Sequence, residues 1–283
     1  MQVAWTRGAL AGVVIVVSIA TITLSSVSTA NPVLPVPEAA IAPQMTDATP
    51  TGLRVVAIGD SIMSGHGLDP DQAWPMLLAQ QFGWGLTNLA SDGSGFVQVG
   101  DNGDTFADQA RIAIGLSPDL IIFAGSSNDL GRSDAEISER TSGTIRAIRT
   151  ALPTVGILAV SPIWNDTDEP SQLLTIDADT AEAAQLADSQ VLRIGEPLHS
   201  RPDLIQPDGV HPNADGDVLI ARAVTEALAR QHPGCVRVPH SRKLTSAGAT
   251  TGLICALYEQ AHRYLAWDSE SSTPSVAGGI SAG

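Results

Sequence analysis

The sequence predicts an α/β protein, with a central five-stranded parallel sheet layered between helices as a three-layer α/β/α sandwich. Three observations predict it. Short apolar, β-branched runs at 53–58, 86–90, 119–124, 155–160 and 191–194 alternate with helix-like stretches at 71–82, 105–116, 133–151, 171–187 and 213–230. Strands that alternate with helices pair in parallel through right-handed crossovers and carry helices on both faces. Finally, the 283 residues would allow about two domains of roughly 100 to 200 residues, but both ends are atypical, which leaves one α/β domain of ordinary size over 52–231. No internal repeat of about 20 to 50 residues is visible.

From the amino terminus, Arg7 precedes a nearly unbroken apolar run over 8–24, and Ser28-Thr29-Ala30 supplies small residues that fit a signal-peptidase site. Residues 1–30 are therefore expected to direct export, to a secreted or cell-envelope location. The run exceeds the usual signal core of about 7 to 15 residues and approaches the ~18 that span a bilayer, so an uncleaved membrane anchor is the alternative. A single arginine does not support a twin-arginine signal. Residues 31–51 hold Pro32, Pro35, Pro37, Pro43 and Pro50 among alanines and read as an extended linker.

The first strand, Leu53-Arg54-Val55-Val56-Ala57-Ile58, is bounded by Thr51-Gly52 and Gly59 and reads as buried. Beyond about 231 the character changes. Residues 232–267 read as a C-terminal extension with a short amphipathic helix over 252–267, and 268–283 as a disordered tail rich in Ser, Gly and Ala. Cys235 and Cys255 are the two cysteines. In an oxidising compartment they are expected to form a disulfide that staples the extension, worth about 3 kcal/mol in the loop-entropy account; two separate buried thiols are the alternative.

Thirty acidic residues against fifteen basic give a formal charge of −15, which argues against nucleic acid or an anionic membrane surface as a partner. A membrane contact is expected only through an uncleaved 8–24 segment. The six histidines form no His-x-x-x-His pair and the Asp-rich stretches do not fit a calcium loop, so neither a metal nor a cofactor is implied.

Two segments 150 residues apart carry the chemistry: Gly59-Asp60-Ser61-Ile62-Met63-Ser64 and Asp208-Gly209-Val210-His211-Pro212. A serine hydroxyl is a poor nucleophile until an imidazole takes its proton, and the imidazole works best when a carboxylate holds its other nitrogen. Asp208 and His211 lie close enough in sequence to meet on one turn, while Ser61 must reach them through tertiary structure. Ser61 follows the first strand, on the sheet edge where open parallel sheets bind ligands. The segments after the second and third strands, Asn88 to Phe96 and Gly125-Ser126-Ser127-Asn128-Asp129-Leu130, fall on the same edge. They offer glycines for close backbone approach and an asparagine amide that can donate to a developing oxyanion. Asp60 and Asp129 are expected to brace loops. Trp164, after the fourth strand, would line a substrate pocket or pack on the core, and Asn165-Asp166-Thr167 is formally a glycosylation sequon.

With four blocks in this order the chain resembles the SGNH hydrolase family, the GDSL-type esterases and lipases, over about 52–231. The resemblance implies a flavodoxin-like fold with strand order 2-1-3-4-5, Ser61 as nucleophile, His211 as base and Asp208 as its orienting carboxylate. It places the oxyanion donors on the backbone N–H groups of Ser61 and Gly93 and the side-chain amide of Asn128. Gly93 is preferred to Gly95 for its spacing from Asn88. The third block departs from the family's Gly-x-Asn-Asp in carrying Ser126 two residues before Asn128. The Gly-x-Ser-x-Gly elbow of the other large esterase fold is absent. The expected activity is hydrolysis of carboxylic esters through an acyl-enzyme, on a small-molecule, lipid or acylated-glycan substrate, with short-chain or acetyl esters favoured because no long apolar lid is evident. An acyltransferase acting on envelope glycans or lipids, and a non-catalytic carbohydrate- or lipid-binding surface protein, are the other readings.

Overall fold

The computed structural model describes residues 52–230 and 246–271 together with a two-residue strand at 44–45; in the last helix, side chains are described from 252 to 269. The described strands are β1 Gln44–Met45, β2 Arg54–Ile58, β3 Gly85–Asn88, β4 Leu120–Ala124, β5 Gly156–Val160 and β6 Gln190–Leu192. The helices are α1 Ser61–Ser64, α2 Trp74–Phe82, α3 Phe106–Leu116, α4 Asp134–Ala151, α5 Ser171–Leu186, α6 Ala214–Arg230 and α7 Ser246–Ser271. The sheet runs β1-β3-β2-β4-β5-β6. From β3 to β6 every pair is parallel, and these five strands have the expected order 2-1-3-4-5.

One sequence reading is corrected here. Gln44–Met45, read as linker, pairs antiparallel with β3 as a sixth, edge strand. A two-residue strand carries no period that a sequence could display, and backbone pairing asks little of its side chains. The strand expected at 86–90 ends at Asn88 and the one at 191–194 at Leu192, while the last helix extends well beyond 252–267 at both ends.

Side-chain alternation along the strands sorts the core into two layers. Val55, Ala57, Leu120, Ile122, Leu158 and Val160 point to the face covered by α2, α6 and α7. Their neighbours Val56, Ile58, Ile121, Phe123, Ile157 and Ala159 point to the face covered by α3, α4 and α5. Burial on both faces is why these strands read as continuous apolar runs. The tail helix α7 belongs to the first layer: Leu257 and Ala261 are fully buried there, and a Cβ on Gly156 of β5 would fall 2.5 Å from Leu253.

The chain passes from β2 to β3 on one side and then returns to place β4 on the other. The carboxyl end of β2 is therefore the switch point, where loops diverge and leave a crevice. Glycine and aspartate at 59 and 60 end β2 there, and the next residue is Ser61.

A buried carboxylate braces the helix layer below this crevice. Ala73 at the N-cap of α2 offers no side-chain acceptor, and Asp217 Oδ1 from α6 instead accepts the Trp74 backbone N–H at 2.7 Å. Asp217 Oδ2 has no hydrogen-bond partner among the described residues, and burial pushes this carboxyl up to about 8, against the pull of the Trp74 bond. The folded protein thus holds a proton that the unfolded chain releases near pH 4, so stability falls as pH rises between those two values. At about 1.4 kcal/mol per unit, the loss from pH 5 to 8 is on the order of 4 kcal/mol. Asp217→Asn keeps an acceptor for Trp74 and removes the titration. Its Tm advantage over wild type is expected to be several degrees larger at pH 8 than at pH 5; parallel Tm curves would contradict this account.

Candidate active site

Ser61 opens the four-residue helix α1 and is buried, at 8% exposure. Asp60 caps that helix from extended backbone, its Oδ1 accepting the Ile62 N–H at 3.0 Å. The same carboxylate lies 2.7 Å, through Oδ2, from the Ser126 hydroxyl. Burial pushes the Asp60 carboxyl up, against the hydrogen bonds from Ser126 and the helix N–H groups. Asp60 is thus a brace that locks Ser61 onto the end of β2. Position N1 of a helix leaves the Ser61 N–H without an intrahelical partner, and it donates to no acceptor among the described residues.

His211 and Asp208 share the turn before α6. Asp208 Oδ1 accepts the N–H groups of Val210 and His211 at 2.9 and 3.1 Å, and Oδ2 lies 2.8 Å from His211 Nδ1. The His211 ring first, and then these N–H groups, hold the Asp208 carboxyl far below the usual range, so it is charged at neutral pH. A charged acceptor at Nδ1 fixes the proton there and leaves Nε2 as the acceptor. Nε2 lies 2.9 Å from Ser61 Oγ. Serine, imidazole and carboxylate therefore form one hydrogen-bonded line, an arrangement that can take up a proton from the serine hydroxyl.

The second and third blocks reach the same place. Gly93 has φ +74°, which an L side chain resists, and its N–H finds no acceptor among the described residues. The N–H of Gly95 is occupied by Gln98 O at 2.9 Å. A Cβ on Gly95 would sit 2.5 Å from the Asp129 carboxylate. That carboxylate gathers the N–H groups of Phe96, Val97 and Gln98 at 2.8, 3.0 and 2.8 Å. Gly95 and Asp129 thus shape the loop from behind. Asn128 donates one Nδ2 hydrogen to Ser94 O at 3.0 Å, which leaves the other for a ligand. Ser126, where the family carries glycine, is fully buried and joins the first three blocks: its Oγ contacts Asp60, lies 3.0 Å from Ser94 O, and accepts the Asn128 N–H at 3.1 Å.

Several residues around the site carry no chemical signature in the sequence. Gln206 Nε2 donates to His66 O at 2.7 Å and Pro212 O at 2.8 Å, while its own N–H donates to His211 O at 2.8 Å, tying the first block to the fourth. Asn165 Nδ2 donates to Gly209 O at 3.1 Å, so the amide of the formal sequon serves the Asp208 turn. The His66 ring stacks on His211 with centroids 4.1 Å apart, and its Nδ1 bonds Asp92. In the sequence only their places, five residues past Ser61 and one before Gly93, set His66 and Asp92 near the site. Trp164 is half-buried against Ile137, Leu173 and Ile176, with its Nε1 donating to Thr167 Oγ1 at 3.0 Å. Cys255 lies on α7, and its expected partner Cys235 is outside the described residues, as are residues 1–30. Among the described residues no helix is long and apolar enough to cross a membrane.

The fold and this constellation define an α/β hydrolytic enzyme of the SGNH type. The sequence model of the GDSL-like Lipase/Acylhydrolase family matches residues 57–219, more than half of the chain, and the chain belongs to this family of ester-hydrolysing enzymes. It is 28% identical over 195 residues to a GDSL lipase of Mycobacterium tuberculosis, a match covering 64% of this chain and 83% of the relative. Among solved structures it resembles TesA, with TM-score 0.52 and 17% identity over 62% of this chain and 97% of the other. A protein from Lactobacillus plantarum gives TM-score 0.51 and 22% identity over 64% and 98%. At such identities the structural likeness speaks for the fold.

Proposed function

We propose that this chain is an exported serine esterase that cleaves carboxylic esters through an acyl-enzyme. The observation that carries the reading is the line Asp208 to His211 to Ser61, at 2.8 and 2.9 Å, on the switch-point edge of the sheet. Ser61 Oγ attacks the ester carbonyl while His211 Nε2 takes its proton. The carbonyl oxygen, now negative, is held by the N–H groups of Ser61 and Gly93 and by Asn128 Nδ2. When the tetrahedral adduct collapses, the alkoxide leaves with the proton from His211, and the acyl group stays on Ser61. Water then repeats the sequence, losing its proton to His211 and releasing the acid. The steps call on no metal or cofactor.

Short acyl groups are the favoured substrates. Behind α1 the cavity lined by Asp60, Ile62, Met63, Trp74 and Ile163 is about 10 Å³, room for at most one water. An acyl chain has no tunnel there and must lie along the open crevice. Export rests on Arg7, the 8–24 run and Ser28-Thr29-Ala30, and in that setting Cys235 and Cys255 form the disulfide that fastens the segment between α6 and α7.

Labelling with a fluorophosphonate tests the reading. The expected result is one label per chain, mapped by mass spectrometry to Ser61, with loss of hydrolysis across a p-nitrophenyl ester series that falls off from acetate to long chains. A label elsewhere, or hydrolysis that survives full labelling, would overturn it. Adding an alcohol or sugar acceptor to the same assay separates hydrolysis from acyl transfer by product.

A further inference from the structure

The crevice holds a second histidine–carboxylate pair that the reaction just described leaves without a task. His66 Nδ1 bonds Asp92 Oδ2, and the two imidazoles, His66 and His211, stack at 4.1 Å with planes 28° apart. His66 is fixed from several sides. Its N–H donates to Ser61 O at 3.0 Å, and its carbonyl takes Gln206 Nε2, the residue whose own N–H holds His211 O. Asp92 Oδ1 in turn lies 2.7 Å from Ser64 Oγ on α1. Burial pushes the Asp92 carboxyl up, but the bonds from His66 and Ser64 outweigh it and hold the group below the usual carboxylate range.

We propose that His66, clamped by Asp92, is a positioning residue for His211: the stacked ring confines the His211 imidazole to the plane that aims Nε2 at Ser61, and the clamping carboxylate adds negative charge beside the imidazolium formed during attack. The proposal rests on the reading of His211 as the base. Two features favour positioning over the alternatives. Nitrogen and oxygen atoms of His66, Asp208 and His211 lie within 4.8 Å of one another, but in stacked rings the in-plane lone pairs run side by side and do not converge on one ion. His211 also sits on a short turn with Asp208 touching only its Nδ1 edge; without a ring against its face it would sample orientations that lengthen the 2.9 Å bond to Ser61. A base must be within hydrogen-bond reach of the proton it abstracts, and small misplacement is costly in rate. The charged and titratable groups that face His211 are Asp208 on its own turn, Asp92 and His66 across the stack, and Asp60 below Ser61.

The test measures kcat and KM on p-nitrophenyl acetate from pH 5 to 9 for His66→Ala, His66→Phe and Asp92→Asn in the full chain, beside His211→Ala. His66→Ala is expected to lower kcat roughly 10- to 100-fold with KM within about twofold. His66→Phe keeps a ring on the His211 face and is expected to recover most of that loss. Asp92→Asn removes a negative charge that favours the imidazolium, so the acidic limb of the profile is expected to move to lower pH. Should His66→Ala not fold, the Phe and Asn variants carry the test. Wild-type kcat and an unmoved acidic limb in the folded variants, alongside an inactive His211→Ala, would overturn the role of His66. An active His211→Ala would instead overturn the underlying reading of the base.

Discussion

Ser61→Ala is expected to lower kcat on p-nitrophenyl acetate about 10⁴- to 10⁶-fold while leaving Tm nearly unchanged. In the proposed mechanism the hydroxyl forms the new bond to the acyl carbon, and no neighbouring group can replace it. Its removal disturbs little else, since Oγ touches His211 and the fold around it is held by Asp60, Ser126 and the backbone of α1. His211→Ala is expected to cost about as much, and the double variant scarcely more than either single one, because the three groups act as a unit. Additive losses in the double variant would show that serine and histidine act in separate steps. A residual rate above solvent hydrolysis is expected in every one of these variants, carried by the oxyanion donors.

Asn128→Ala is expected to reduce kcat roughly 10²- to 10³-fold with a small change in KM, the signature of a donor that matters most once charge has developed on the carbonyl oxygen. One of its amide hydrogens is committed to Ser94 O, which orients the group before substrate arrives. Preorganisation of this kind means that little reorientation is needed during attack. Asn128→Asp is a sharper probe, because it replaces the donor by a negative charge and should lower kcat further. A raised KM with kcat unchanged for the alanine variant would instead mark Asn128 as a ground-state binding group.

Much of the architecture was legible because the signals were local. Strand β4, Leu120–Ala124, is apolar at every position, and α4 has a clear helical period, so both could be placed from sequence. The four-residue helix α1 could not, being shorter than two turns and set by its Asp60 cap and the turn at Gly65. The edge strand Gln44–Met45 was hidden for a similar reason. At the site, Ser61, Asp208, His211 and Asn128 were visible because their types and order carry chemistry. His66, Asp92, Ser126 and Gln206 matter through where tertiary contacts put them, and a lone histidine or glutamine announces no partner 26 or 140 residues away. The departure at Ser126 proves to be a replacement with its own bonds: a glycine there could accept nothing from Asn128 through a side chain, whereas this serine does.

The helix α7 separates two boundaries that are easily taken as one. The family match closes at residue 219, yet Leu257 and Ala261 lie in the same apolar layer as α2 and α6, beneath which Gly156 leaves room for Leu253. The segment that the family match spans is thus shorter than the segment whose apolar layer packs together. On a ribosome, the layer beside β5 stays open to water until α7 emerges, and a product truncated near 231 would expose that greasy seam to other chains. Expression designs and domain swaps drawn from family limits alone would cut through the interior of this protein.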